Sequence, residues 1–329
     1  MKTLKKLKIL FNTYPTAFDI PGGGEVQLMQ TKNAIESFGH NIELYNQWSP
    51  QFKKFDLIHF FSVYGGSEVF CRTVKKHNIP LIVSPVLYPI DNLDQYPIKE
   101  INNILQMCDS ILPNSKIEAR LLSKTFKIPL NKFSVVYNGI NEIFCEDSKI
   151  DENLFRNYYN IEYNFLLNVA NIEPRKNQLT LVKAISKSNY RLILLGNIRD
   201  QKYFDQIMRL SNGKVVHLGY LPNNSKILRS AYKACDLFVL PSHLETPGLA
   251  ALEAASQGSK LAVTNIGSTE EYFKNMVHYF NPNKEETFLS TINNAISEKK
   301  TSDLKKHVIK NFSWKNSAIQ TISAYKNFL

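Results

Sequence analysis

The chain has 329 residues, with 43% hydrophobic and 12% aromatic side chains, enough for two cores and too apolar for a disordered chain. With 13 Gly and 14 Pro it is neither collagen-like nor low-complexity, and no apolar run approaches the roughly 18–20 residues of a membrane-crossing helix. Of 40 basic residues against 29 acidic, 32 are scattered Lys; this argues against nucleic acid as a partner, and the net +11 fits an anionic membrane surface as well as plain solubility.

The start, MKTLKKLKILFN, carries Lys2, Lys5, Lys6 and Lys8, and its apolar stretch is too short for a signal peptide, so an intracellular protein is expected. The apolar pattern then alternates between strand-like and helix-like periods. LKILFN (7–12) reads as a strand and is followed by a glycine loop and a helix over 25–38. Strands follow at 41–45, 56–61, 80–84, 109–113 and 133–139, with helices before His77, near 97–107 and up to 126. Residues 141–163 are polar and interrupt the alternation. It resumes with strands at 164–170, 190–196, 214–219, 236–242 and 260–264, separated by helices at 177–187, 200–211, 224–234 and 247–257. The tail from about 284 reads as helical, and Trp314, Ala318, Ile322 and Tyr325 recur at helical spacing as packing residues. Strands alternating with helices give parallel sheets covered on both faces, here twice over. The expected division is 1–150, 151–311 and a terminal helix at 312–329.

The four Cys, at 71, 108, 145 and 235, are far apart and read as reduced thiols rather than a zinc site or a CxxC redox pair. A nicotinamide-binding protein would need G-x-G-x-x-G after a strand and an acid about 20 residues on, and neither is present. No Asp-x-Asp triplet occurs, and no metal or other cofactor is expected.

PSHLETPGLAALEAASQGSKLAVTNIGSTEE (241–271) is the most informative segment. Thr246 suits an N-cap, Pro247 the first helical position and Gly258 the C′ position of helix 247–257. Free amides at Gly248 and Leu249 would hold an anion such as a diphosphate. Glu245 and Glu253, eight positions apart, suit hydroxyl groups; a buried structural Glu253 and a solvated Glu245 is the alternative from spacing alone.

This segment resembles the E-x7-E signature of retaining glycosyltransferases of the GT-B fold, family four, through Pro241, Ser242, Glu245, Gly248, Leu249, Leu252, Glu253, Ala254, Gly258, Gly267 and Glu270. Thr246 and Pro247 stand where the family has Gly-Phe. NVANIEPRKNQLTLVKAI (168–185) is similar to the family's phosphate-binding strand, loop and helix: Lys176 matches its Lys, Asn171 replaces its Arg, and Arg175 is a substitute cation. Gly22, Gly23 and Gly24 resemble the glycine-rich loop after the first strand. His40 reads as structural, and His59 matches a strand-end position of the family. Ser84 and Pro85 stand where the family often has a His facing the reacting sugar.

The resemblance implies a GT-B protein: two doubly wound Rossmann-like domains facing a cleft, with the last helix crossing back to the first. It implies a retaining, metal-independent transfer from a nucleotide diphosphate sugar to a glycan or lipid-linked acceptor, in the setting of cell-surface polysaccharide synthesis. Glu245 and Lys176 would be catalytic. Glu253, Gly248, Leu249, Arg175, Asn171, Pro247, Gly23 and Gly24 would bind the donor, and His59 and Ser84 would lie on the acceptor side. A cytoplasmic location is expected, with peripheral contact at the inner face of the membrane. The competing expectations are another GT-B enzyme of the sugar-phosphate synthase type and a non-catalytic basic lipid-binding adaptor.

Overall fold

A computed structural model describes residues 6–19, 22–89, 93–145 and 150–328; Lys2, Lys5 and Pro21 lie outside the described residues. In chain order the first half runs β1 (Lys8–Thr13), α1 (Gly23–Glu36), β2 (Asn41–Leu44), β3 (Leu57–Phe61), α2 (Ser67–Lys76), β4 (Leu81–Ser84), α3 (Ile98–Met107), β5 (Ser110–Ile111) and α4 (Lys116–Phe126). The second half runs α5 (Glu142–Cys145), α6 (Asn153–Tyr159), β6 (Leu166–Val169), α7 (Gln178–Ile185), β7 (Leu192–Leu195), α8 (Gln201–Leu210), β8 (Val215–His217) and α9 (Lys226–Ala234). It continues with β9 (Leu237–Leu240), α10 (Leu249–Ser256), β10 (Leu261–Thr264), α11 (Thr269–Phe273), β11 (His278–Phe280), α12 (Phe288–Ser297), α13 (Asp303–Asn311) and α14 (Trp314–Tyr325).

Two compact units result, one of residues Met1–Gly139 with Trp314–Leu329, the other of Ile140–Ser313. The boundary falls at Gly139 rather than 150 because the intervening segment packs into the second unit. Ile140 bridges Ser313, Phe144 of α5 lies against Tyr232, and Gln257 Nε2 donates to the Phe144 carbonyl at 3.3 Å. Likewise Phe312 stays with the second unit, its ring tilted against Tyr272 at 4.5 Å between centroids.

The first sheet has the order β2-β1-β3-β4-β5, all parallel. Its strands are apolar on both faces because helices cover both. Leu10, Ile58, Phe60, Leu81 and Val83 join Val74, Ile104 and Leu122 of α2, α3 and α4. The alternate residues Ile9, Phe11, Leu57, Phe61 and Ile82 join Leu28 and Ile35 of α1 and Ala318, Ile322 and Tyr325 of α14. Segment 133–139 is not a strand. β5 is only two residues long and offers one bridge, Ile111 to Phe133.

The second sheet has the order β11-β10-β9-β6-β7-β8, again parallel. One face packs on α7, α8 and α12 through Leu181, Val182, Ile207, Phe288 and Ile292. On the other, Tyr232 of α9 meets Phe238 of β9 at 5.8 Å between ring centroids. The three-residue strand β11, absent from the sequence-based reading, closes this sheet beside β10.

Cys71, Cys108 and Cys235 are buried and Cys145 half-buried, all as free thiols. Burial pushes the Cys108 and Cys235 thiols up to about 12, so both are inert packing groups. Among the described residues no helix is long and apolar enough to cross a membrane.

Candidate active site

The second unit begins in the middle of its sheet. From β6 the chain passes to β7 and β8 on one side, then returns to β9, β10 and β11 on the other. The reversal lies between β6 and β9, and ligands of open parallel sheets bind at the carboxyl ends of strands at such a point. The loops leaving these two strands are laced together. His243 donates its N–H to the Arg175 carbonyl at 2.9 Å, and Asn177 Nδ2 donates to the Pro241 carbonyl at 3.1 Å.

Lys176 and Glu245 meet there. Lys176 ends the 3-10 turn Pro174–Lys176 after β6, and α7 starts only at Gln178, with Asn177 in the left-handed region as its N-cap. The lysine therefore stands in the turn before α7 rather than in its first helical turn. Its Nζ lies 2.5 Å from Glu245 Oε1, and the side chains are 13% and 7% exposed. Ser242 Oγ donates to the same oxygen at 2.6 Å. Burial pulls the Lys176 ammonium below its ordinary range, against the attraction of Glu245. Burial acts to raise Glu245, but Lys176 and Arg175 beside it outweigh that and hold its carboxyl below the usual range. Glu245 is thus a buried, paired carboxylate rather than a solvated loop residue.

The backbone of Glu245 is fixed as tightly as its side chain. Its N–H donates to the Ile266 carbonyl, and its carbonyl accepts from Ser268. Gly267, at φ +111°, passes so close that a Cβ there would lie 2.0 Å from the Glu245 carbonyl oxygen. Gly248 serves the same carboxylate. A Cβ at that position would lie 2.9 Å from Leu240 Cδ2 and 3.3 Å from Glu245 Oε2.

Gly248 also corrects the expected start of α10. It adopts φ +85°, outside helical space, and acts as N-cap, so the helix begins at Leu249 rather than Pro247. Thr246 and Pro247, joined by a cis bond, precede it as loop. No side chain caps α10, which leaves its first amides for a ligand. Gly258 does take the C′ place, at φ +82°.

Glu253 lies on α10, half-buried, with Oε2 accepting from Tyr232 Oη at 2.9 Å. Burial pushes its carboxyl up to about 8 although the tyrosine bond favours the ionised form. Asn171, just beyond β6, faces Arg199; with its amide oriented to pair with the guanidinium, Oδ1 accepts from Nε at 3.0 Å and Nη2 at 3.2 Å. Arg175 is 53% exposed and bonds Glu173 at 3.0 Å. The guanidinium at the Asn171 position thus comes from the loop after β7, not from Arg175.

The first-unit residues depart further from expectation. Gly22 is the N-cap of α1, and Gly23 and Gly24 are its first helical residues rather than a loop. Glu25 at the third helical position accepts from the Gly22 N–H at 2.6 Å, a capping box that starts the helix early. His59 is 1% exposed and belongs to the sheet face under α1 and α14. Its Nδ1 is 2.6 Å from Tyr325 Oη and its Nε2 2.9 Å from Ser84 Oγ, so both acceptor-side candidates are spent in one buried chain. Burial drives the His59 imidazole down to about 3, leaving it neutral. His40 accepts the Leu7 N–H at Nδ1, 3.2 Å, a structural bond.

Arg199 and Tyr232 escaped sequence reasoning. Arg199 lies 28 residues beyond Asn171 and Tyr232 lies 21 before Glu253, and neither spacing carries a motif. A surface depression of about 640 Å3 bordered by Glu68, Arg72, Lys99 and Asn103 lies elsewhere, and Glu68 there is already bonded to Arg72 and Asn103.

Residues 150–312 match the family profile described as Glycosyl transferases group 1. An uncharacterized glycosyltransferase of Methanocaldococcus jannaschii is 27% identical over 238 residues, 67% of this chain and 60% of that one. A serotype-specific mannosyltransferase of Escherichia coli is 25% identical over 304 residues, 83% of this chain and 37% of that one. The chain therefore spans less than two thirds of the length of these relatives. The crystal structure of an Anabaena protein, HepE, in complex with UDP and glucose superposes with a TM-score of 0.79 at 20% identity, over 98% of this chain and all of that one. The fold is GT-B.

Proposed function

We propose that the protein is a retaining glycosyltransferase that moves a sugar from a nucleoside diphosphate sugar to a hydroxyl of a glycan or glycolipid acceptor. The observation that carries this reading is the buried Lys176–Glu245 pair at the sheet reversal, next to a helix whose amides no side chain caps. The similarity to a serotype-specific mannosyltransferase supports surface polysaccharide synthesis as the setting; a cytoplasmic location is part of the same proposal. In this reading the donor diphosphate lies against Lys176 and the amides at Leu249, with Gly248 and Pro247 shaping the approach. Arg199, braced on Asn171, and Arg175 add positive charge on one side. Glu253 takes the ribose hydroxyls and Glu245 those of the sugar in transit.

The acceptor oxygen forms the new bond to the anomeric carbon on the face from which the phosphate departs. The bond from that carbon to the phosphate oxygen breaks, and its electron pair stays with the diphosphate. The acceptor's proton passes to the departing phosphate oxygen, so no side chain needs to act as base. Negative charge grows on the diphosphate as the bond breaks, where Lys176 and the helix amides stabilise it. Removing one such donor typically costs on the order of 100-fold or more in rate. The cations and amides carry this charge without a metal.

The test is turnover of nucleoside diphosphate sugars with sugar acceptors in excess chelator, with the product anomer read by proton NMR. The reading expects turnover undiminished by chelator and the donor's anomeric configuration kept. An inverted anomer, or activity that returns only with manganese, contradicts it.

A further inference from the structure

Tyr232 is a buried titratable group to which the transfer gives no task. It lies on α9, 0% exposed, with its ring edge-on to Phe238 of β9. Its carbonyl accepts from Ser259 Oγ at 2.6 Å and from Cys235 Sγ at 3.3 Å, and the first of these ties α9 to the residue just past Gly258 at the end of α10. Backbone and ring are thus both fixed, and the hydroxyl meets Glu253 Oε2 at 2.9 Å. Burial, reinforced by Glu253, raises the phenol well above its ordinary range, so the oxygen keeps its proton and donates.

Packing alone does not call for this hydroxyl. Phe would fill the same space, as Phe144, Phe155 and Phe238 do in the same unit. Burying an O–H group and a half-buried carboxylate costs free energy that one bond between them does little more than offset. Among the described residues Glu253 pairs with no cation, whereas Glu245 has Lys176. A carboxylate without a cation suits neutral donors. Tyr232 takes one of roughly four acceptor positions on its two oxygens, which leaves others for hydroxyl groups.

The helix sets the distance. Glu253 stands four residues after Leu249 on the same face of α10, about 6 Å along the axis from the uncapped first turn. Helical side chains lean toward the N-terminus, which carries the carboxylate back toward those amides. A phosphate on the amides and the vicinal hydroxyls of the ribose it esterifies span such a gap. The Tyr232 bond keeps the carboxylate from turning away and leaves both of its oxygens open to that pair of hydroxyls.

We propose that Tyr232 is a positioning residue that holds Glu253 for both hydroxyls of a ribose, and that the site thereby takes ribonucleoside diphosphate sugars and rejects their 2′-deoxyribonucleoside counterparts. This rests on the glycosyltransferase reading and narrows the donor class within it. A site built to accept from a hydroxyl is left with a desolvated, unpaired acceptor when that hydroxyl is missing.

The test is calorimetric titration of the full chain with UDP, GDP and ADP and with their 2′-deoxy counterparts. The variants are Tyr232→Phe, which keeps the ring on Phe238, Glu253→Gln, the double variant, and Glu253→Asp, which draws the carboxylate one methylene away from Tyr232. At least one ribonucleotide should bind wild type, and its 2′-deoxy counterpart roughly tenfold or more weakly. Tyr232→Phe and Glu253→Asp should each shrink that ratio to about threefold or less, with the 2′-deoxy nucleotide bound about as well as by wild type. Adding Tyr232→Phe to Glu253→Gln should change nothing further, because the tyrosine acts through the carboxylate. A ratio kept by Tyr232→Phe or by Glu253→Asp, or an equal loss of both nucleotides in Tyr232→Phe, would make Tyr232 a packing residue and overturn the proposal. Equal binding of the two nucleotides by wild type would overturn the selection for ribose while leaving the transferase reading in place. Binding of no nucleoside diphosphate by wild type would overturn that reading, and the proposal with it.

Discussion

At the scale of single residues, the chemistry of the second unit is set by two carboxylates that burial treats in opposite ways. Glu245 has a cation at 2.5 Å and stays ionised; Glu253 has only a tyrosine hydroxyl and holds its proton to about 8. Lys176→Ala leaves Glu245 buried without its partner. Loss of one member of a buried pair costs about 3–5 kcal/mol, so the variant should be clearly destabilised in urea. The double variant Lys176→Ala, Glu245→Gln should regain more than half of that loss. Equal stability of Lys176→Ala and wild type would mean the pair is solvated. Glu253 makes a pH prediction. Its folded carboxyl binds the proton more tightly than the unfolded chain does, at 4.5. Its stabilising contribution is therefore full below 4.5 and lost as pH rises through about 8. Between pH 5 and 8 wild type should lose up to about 1.4 kcal/mol per pH unit relative to Glu253→Gln. Parallel stability curves for the two proteins would contradict this.

At the scale of elements, the sequence makes most of the architecture legible, because strands buried on both faces leave apolar runs that need no partner to be read. LIVS and LFVL are such runs, and both are strands. VVYNG looks alike but has no neighbour except the two-residue β5, and HYF is too short to show a period. Glycines mislead where conformation, not composition, decides. The triplet at 22–24 reads as a loop, yet the Glu25 carboxylate draws it into a helix; Pro247 reads as a helix start, yet Gly248 at positive φ postpones it. In the site, Lys176, Glu245 and Glu253 are legible as a motif, whereas Arg199 and Tyr232 reach it through tertiary packing that no local spacing encodes. Gly267→Ala forces a Cβ against the Glu245 carbonyl, so it should cost more than about 2 kcal/mol and lower nucleotide affinity with it. Wild-type stability in thermal melts would show that the loop yields freely. Tyr325→Phe strips His59 Nδ1 of a buried partner and should cost about 1–3 kcal/mol, with α14 loosened against β3; unchanged amide exchange in β3 would contradict that.

At the scale of the whole molecule, part of the basic excess is ordered as a stripe. Lys116, Arg120, Lys124 and Lys127 are all exposed along α4 and just beyond its end. Attraction to anionic vesicles through this stripe should fade in 1 M salt, where the Debye length is about 3 Å, and Arg120→Glu with Lys124→Glu should weaken it. Sedimentation with vesicles that survives that salt would point to an apolar contact instead. The central claim concerns the second unit, and donor binding tests it most directly. Nucleoside diphosphate sugars are titrated against wild type and Glu253→Gln at pH 8, with melting temperatures recorded for both. One donor should bind wild type and, at 100 times its dissociation constant, stabilise it by about 2.7 kcal/mol. Glu253→Gln should melt at or above the wild-type temperature without ligand and bind that donor at least tenfold more weakly. Equal affinity of the two proteins, or no stabilisation of wild type by any nucleoside diphosphate sugar, would contradict the account.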